Sequence, residues 1–89
     1  MKFYNQSEHY VRVKIFNGFP HTEKNLVASL NDYGPNSEAS HDLDPGDYYV
    51  YISTTNIGPN PPGITIAGSG GVPSTGVVTL TGTDRIAIA

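Results

Sequence analysis

The sequence predicts an all-β fold, and three observations carry that expectation. Gly 10 and Pro 7 among 89 residues make nearly a fifth of the chain, and they cluster between apolar runs rather than within them. The runs alternate: Val11, Val13 and Ile15 fall on one side of His9–Phe16, and Tyr48, Val50 and Ile52 on one side of Asp47–Ser53, the period of a strand with one buried face. Turn signals recur so often that a long helix has little space. Together these predict a single antiparallel β-sandwich of about six or seven short strands, immunoglobulin-like or prealbumin-like, with residues 1–89 forming one domain. A chain of this length supports one core, because folding buries only about 60–65% of the surface that the unfolded chain exposes.

The first expected strand is HYVRVKIF, which turns Tyr10, Arg12, Lys14 and Phe16 away from its aliphatic side. Asn17-Gly18 and Phe19-Pro20 then favour a turn and loop. NLVASL, Asn25–Leu30, reads as the second strand, with Leu26, Ala28 and Leu30 on one side and Val27 and Ser29 on the other. Asn31–Ser40 is rich in Asn, Gly, Pro and Ser and is expected to be a loop, with a short edge strand over Glu38–Leu43 before the next turn. Pro45 and Gly46 suit the central positions of a type II turn, Pro presetting φ and Gly accepting φ > 0. The strand that follows turns Tyr49, Tyr51 and Ser53 away from Tyr48, Val50 and Ile52.

Thr54–Gly63 holds three prolines and two glycines, which excludes a central strand or a helix interior. Ile64–Gly68 is expected as a short strand and Gly68–Gly76 as a flexible connection. Gly76–Gly82 and Arg85–Ala89 pair as a closing hairpin across Thr81–Asp84. The expected core is Val11, Val13, Ile15, Leu26, Ala28, Leu30, Val50, Ile52, Ile64, Ile66, Val78, Leu80, Ile86 and Ile88.

Composition removes several function classes. Net charge is −3, and the five Lys and Arg are spread along the chain, so the clustered basic face that nucleic acid requires is missing. The absence of cysteine excludes disulfides, thiolate zinc sites and cysteine nucleophiles. No window approaches a membrane span, and the opening MKFYNQSEHY lacks the apolar stretch of a signal peptide. A cytosolic protein and the mature part of a secreted one, with a starting Met added, both fit.

Asp42, Asp44 and Asp47 invite a calcium reading, but counting from Asp42 puts Gly46 at five, Asp47 at six and Ser53 at twelve, out of register with an EF-hand loop. A solvated turn is the better account. His9, His21 and His41 are scattered and match no zinc spacing. Ser37, Ser40 and His41 lack a nucleophile elbow, and a domain this small has little room for a cleft beside its core. GSGGVPSTG matches neither phosphate-binding glycine pattern. Asn5-Gln6-Ser7 is a formal glycosylation sequon. No catalytic residue, metal site or cofactor is therefore assigned. The tyrosines are the most informative feature: Tyr49 and Tyr51 form an outer aromatic pair, joined by Tyr10 and Phe16 if the strands are neighbours. Such a pair either binds a protein or sugar or merely stabilises the sheet. Tyr49, Tyr51 and Tyr33 are the candidate ligand-binding residues.

LDPGDYYVYI resembles the L-x-P-G-x-Y-x-V-x-I pattern of small bacterial envelope and secreted β-sandwiches, among them carboxypeptidase-regulatory-like and PEGA modules. Leu43, Pro45, Gly46, Tyr48, Val50 and Ile52 carry the match. Val11–Gly18 is similar to the opening strand of those modules and Val78–Ala89 to their closing strands. The resemblance implies a fold and no catalytic residue. The expected function is a noncatalytic binding or structural module, with an extracellular or cell-envelope location favoured and a protein or carbohydrate as partner. A lectin-like carbohydrate-binding domain and a calcium-dependent adhesive module are the alternatives.

Overall fold

The structure, a computed structural model, describes residues 1–54 and 65–89, with the side chains of residues 31–33 and 65 outside the description. Eight strands follow in chain order: β1 (Lys2–Asn5), β2 (Val11–Phe16), β3 (Leu26–Tyr33), β4 (Ser37–Ser40), β5 (Asp47–Thr54), β6 (Thr65–Pro73), β7 (Val77–Leu80) and β8 (Ile86–Ile88). They form two four-stranded sheets, ordered β4-β1-β7-β8 and β3-β2-β5-β6. Every neighbouring pair is antiparallel except β1 and β7, which run parallel. Among the described residues the helical structure is one 3-10 turn, Glu23–Asn25.

Both sheets feed one buried cluster. β2 and β5 supply its centre, because their register sets Val13 against Ile52 and Ile15 against Val50, and all four are fully sealed from solvent. Val11, Ala28, Tyr48 and Val72 extend it across the second sheet, while Phe3, Val78 and Leu80 close it from the first. Each such Val, Ile, Leu or Phe side chain contributes about 1.5–3 kcal/mol by leaving water. Tyr48 is buried with its hydroxyl donating to the Asp44 carbonyl at 2.6 Å, so the phenol anchors the Asp-Pro-Gly segment onto the strand it precedes.

Several expectations change. β1 was not expected, since Phe3 is followed inward by Asn5 and then Ser7, and that polar succession hides the period. β6 runs to Pro73, so most of the segment expected to be a flexible connection is strand, with Val72 fully buried. β3 runs on to Tyr33, three residues into the segment expected to be a loop, and the edge strand β4 starts at Ser37 and ends at Ser40, short of Leu43. Gly46 takes φ +154°, more extended than a type II turn, and its carbonyl accepts the Ser74 N–H at 2.9 Å. Leu26 leaves the core set because the β2–β3 register shifts between Ile15 and Phe16, pairing Leu26 with Phe16 instead of continuing the Ala28 side. Ile88 is 41% exposed because β8 is the outermost strand of its sheet. Leu30, Ile66 and Ile86 pack against the core as partly buried residues. The Pro-rich segment, from residue 55 on, and Ile64 lie outside the described residues.

The buried polar residues have a specific task. Residues 6–10 carry the chain from the first sheet to the second, and residues 34–36 carry it back. The Asn5 amide joins the two crossings: Nδ2 donates to the His9 carbonyl at 2.8 Å and to the Gly34 carbonyl at 3.0 Å. Its Oδ1 accepts from the Ser7 N–H at 3.0 Å and the Ser7 hydroxyl at 2.6 Å, and that hydroxyl accepts the His9 N–H at 3.2 Å. The formal sequon is thus folded inward, with its amide nitrogen engaged on both hydrogens. Replacing Asn5 with Ala leaves several of these groups unpaired in a dry site, and the stability measured by urea unfolding should fall by about 2 kcal/mol or more. A loss below about 0.5 kcal/mol, the level of an ordinary surface change, would contradict this role.

Candidate aromatic binding face

The outward side of β5 is where the chain concentrates its aromatic residues. With Tyr48, Val50 and Ile52 turned inward, period two sends Tyr49 and Tyr51 to the other face of the sheet. Their partners on β2 are Phe16 opposite Tyr49 and Lys14 opposite Tyr51. Phe16 does fall on this side, as the alternation predicts, and stands apart from the core cluster, yet it is buried. The cover is the loop after β2, which brings His21 over it with ring centroids 5.5 Å apart.

His21 is the centre of the cluster. It stacks on Tyr49 at 4.0 Å with 25° between the planes and meets the Phe19 ring edge-on at 5.6 Å and 79°. Tyr49 and Tyr51 lie 5.5 Å apart, tilted by 40°. The loop is tied rather than loose: Asn17 N–H donates to the Asn25 carbonyl, Asn25 N–H to the Thr22 carbonyl, and the Asn25 amide to the Pro20 carbonyl, all within 2.9 Å. Phe19 is nonetheless 86% exposed. Arg12 and Lys14 alternate onto the same face of β2, which gives the aromatic patch a cationic border.

On the other flank the Gly-Ser-Gly-Gly run finds its explanation. A Cβ on Gly68 would stand 2.9 Å from the Tyr49 hydroxyl, and one on Gly70 would stand 3.2 Å from Tyr49 Cδ2. The ring of Tyr49 covers backbone that carries no side chains, as aromatic residues do for strand glycines. Tyr49 is therefore committed on two sides, to His21 and to β6. Phe19 is the ring of this face with the most free surface, while Tyr51, like Tyr49, is part-buried.

Of the tyrosines singled out in the sequence, Tyr49 and Tyr51 meet. Tyr33 closes β3 opposite Val11, and its side chain lies outside the described residues. Tyr10 does not join them: its ring lies over Gly34, where a Cβ would stand 2.9 Å from Tyr10 Cε1. Phe19 and His21 were missed, because a Phe-Pro step after a strand reads as a loop. The usable signal was three aromatic or imidazole rings within six positions, Phe16, Phe19 and His21, directly after a strand.

Carboxylates and imidazoles are dispersed. Among the described residues no three His, Asp or Glu side chains are placed to hold a metal ion. His9 meets Asp84 at 3.1 Å on the surface, while the main chain of His41 pairs with that of Met1. Comparison of the chain with family models, curated proteins and solved structures finds no significant match. The aromatic arrangement yields its own test. Gly68→Ala should push the Tyr49 ring off its present position and reduce the ring-current shift of the His21 protons in NMR spectra; unchanged His21 shifts would show that Tyr49 does not lie against β6.

Proposed function

We propose that the chain is a noncatalytic binding module, a β-sandwich that recognises a protein partner through the outer face of β2 and β5. The observation that carries this reading is Phe19, almost wholly exposed at the tip of a hydrogen-bonded loop and backed by His21, Tyr49 and Tyr51. Holding a phenyl ring in water on an ordered loop forgoes about 1.5–3 kcal/mol of burial that a partner would supply. Rigid aromatic anchors beside cationic residues are the composition of interface hot spots. Rings tilted by 40° and 79° present no flat platform, which favours an irregular protein surface over a stacked sugar on this face.

The sandwich type that fits best is the prealbumin-like one, supported by the orders β4-β1-β7-β8 and β3-β2-β5-β6 and by a lone parallel pair between β1 and β7. The resemblance of Leu43–Ile52 to envelope and secreted modules supports a place outside the cytoplasm. Peptides selected from a phage-displayed library against the intact chain supply the test. Combined Phe19→Ser and Tyr51→Ser replacement should weaken them by about 30-fold, equivalent to about 2 kcal/mol, with the melting temperature little changed. Selected peptides that bind the double variant as tightly as the original chain would reject this face.

A further inference from the structure

The outer face of the other sheet carries a second site. Phe3 and Asn5 point inward from β1, so Lys2 and Tyr4 point outward, and the antiparallel register with β4 sets Tyr4 beside Glu38 and Lys2 beside Ser40. Tyr4 stands between two open hollows. One, of ≈ 250 Å³, is bordered by Lys2, Glu38 and Ser40; the other, of ≈ 350 Å³, by Gln6, Asn36, Ser37 and Glu38. Tyr4 and Glu38 line both.

The chemistry of this groove is distinct from that of the aromatic face. Its single ring is half-buried in the strand and flanked by hydrogen-bonding groups on both sides. No hydrogen bond or ion pair among the described residues engages the side chains of Lys2, Tyr4, Gln6 or Glu38. They supply an ammonium, a phenol, an amide and a carboxylate, that is, donors and acceptors together. Lys2 borders one hollow and Glu38 both, so summed over the two the one cation and one anion cancel and the groove as a whole has little net attraction for an anionic or a cationic ligand. A neutral molecule with an apolar face for the tyrosine ring and a rim of hydroxyls for the flanking groups fits these features, and a sugar ring has that form. Two hollows meeting at one tyrosine give room for two rings.

We propose that the β1–β4 face binds a neutral saccharide, with two linked pyranose rings spanning Tyr4 and Glu38. The tyrosine provides the stacking surface, Glu38 accepts hydrogen bonds from hydroxyls of either ring, and Lys2 and Gln6 donate to hydroxyl oxygens at the two ends. The site does not depend on the protein-binding role of the β2–β5 face.

The test is a titration of the intact ¹⁵N-labelled chain with cellobiose, maltose and N,N′-diacetylchitobiose, followed by amide shifts. At least one should bind with a Kd of about 1 mM, moving amides of residues 2–6 and 36–40. Tyr4→Ala should weaken it at least tenfold and Glu38→Gln by a smaller factor, in proteins whose remaining amide spectrum is unchanged. Four results would overturn the proposal: no shifts with any of the three disaccharides, shifts centred on Phe19 and Tyr51 instead, equal affinity in a folded Tyr4→Ala protein, or tighter binding of the uronic-acid counterpart cellobiouronic acid. Peptides from the library that map to the exposed edge of β4 while saccharides do not bind would also overturn it.

Discussion

The burial of one side of β2 and β5 is the constraint from which the remaining structure follows. Val13 faces Ile52 and Ile15 faces Val50 across the central pair of the second sheet, and none of the four touches water. In a strand the two sides are fixed to each other, so sealing this aliphatic set commits Lys14, Phe16, Tyr49 and Tyr51 to the opposite face. A slip of β5 by one residue against β2 would bury Tyr49 and Tyr51 and bring Val50 and Ile52 to the surface, an exchange large enough to fix the register. The aromatic face is therefore a consequence of the core, and the loop carrying Phe19 and His21 is built onto it.

The two ends of the molecule are closed by different means. At one end Asn5 joins the crossings at residues 6–10 and 34–36 through its side chain. At the other, the links after β4 and before β7 meet through main-chain bonding, Ser74 N–H to the Gly46 carbonyl, while Tyr48 reaches Asp44 from within the core. A chain of 89 residues with no cysteine cannot staple its crossings covalently. Buried polar groups with full hydrogen bonding take that place, and they specify which crossings meet in a way that apolar contact would not.

How much could be read in advance follows from how each segment hides its inward side. β2 and β5 alternate between aliphatic and polar or aromatic residues, so both strands and both of their faces were evident, as was the hairpin of β7 and β8 about Thr81–Asp84. β1 was not, because its inward positions pass from Phe3 to Asn5 and hydrophobicity alone cannot recognise a buried amide. The start of β6 was evident, but its continuation to Pro73 was hidden by its glycines: the side chain that covers Gly68 and Gly70 belongs to Tyr49, and cover supplied by another strand leaves no local trace. Leu26 was misplaced by a bulge, which shifts the period without changing composition. The Tyr49–Tyr51 pair was legible from the period of β5; its completion by His21 and Phe19 required the loop to fold back, and the Tyr4–Glu38 groove required β1 to be recognised as a strand.

Solvent contact of individual methyl groups tests the central burial most directly. A water-soluble paramagnetic probe added to methyl-labelled protein should leave the signals of Val13, Ile15, Val50 and Ile52 sharp while broadening those of Ile88 and Val27, which the structure leaves exposed. Broadening of Val50 and Ile52 to the same extent as Ile88 would contradict it, because the aliphatic side of β5 would then face water and the tyrosine side would not be the outer one.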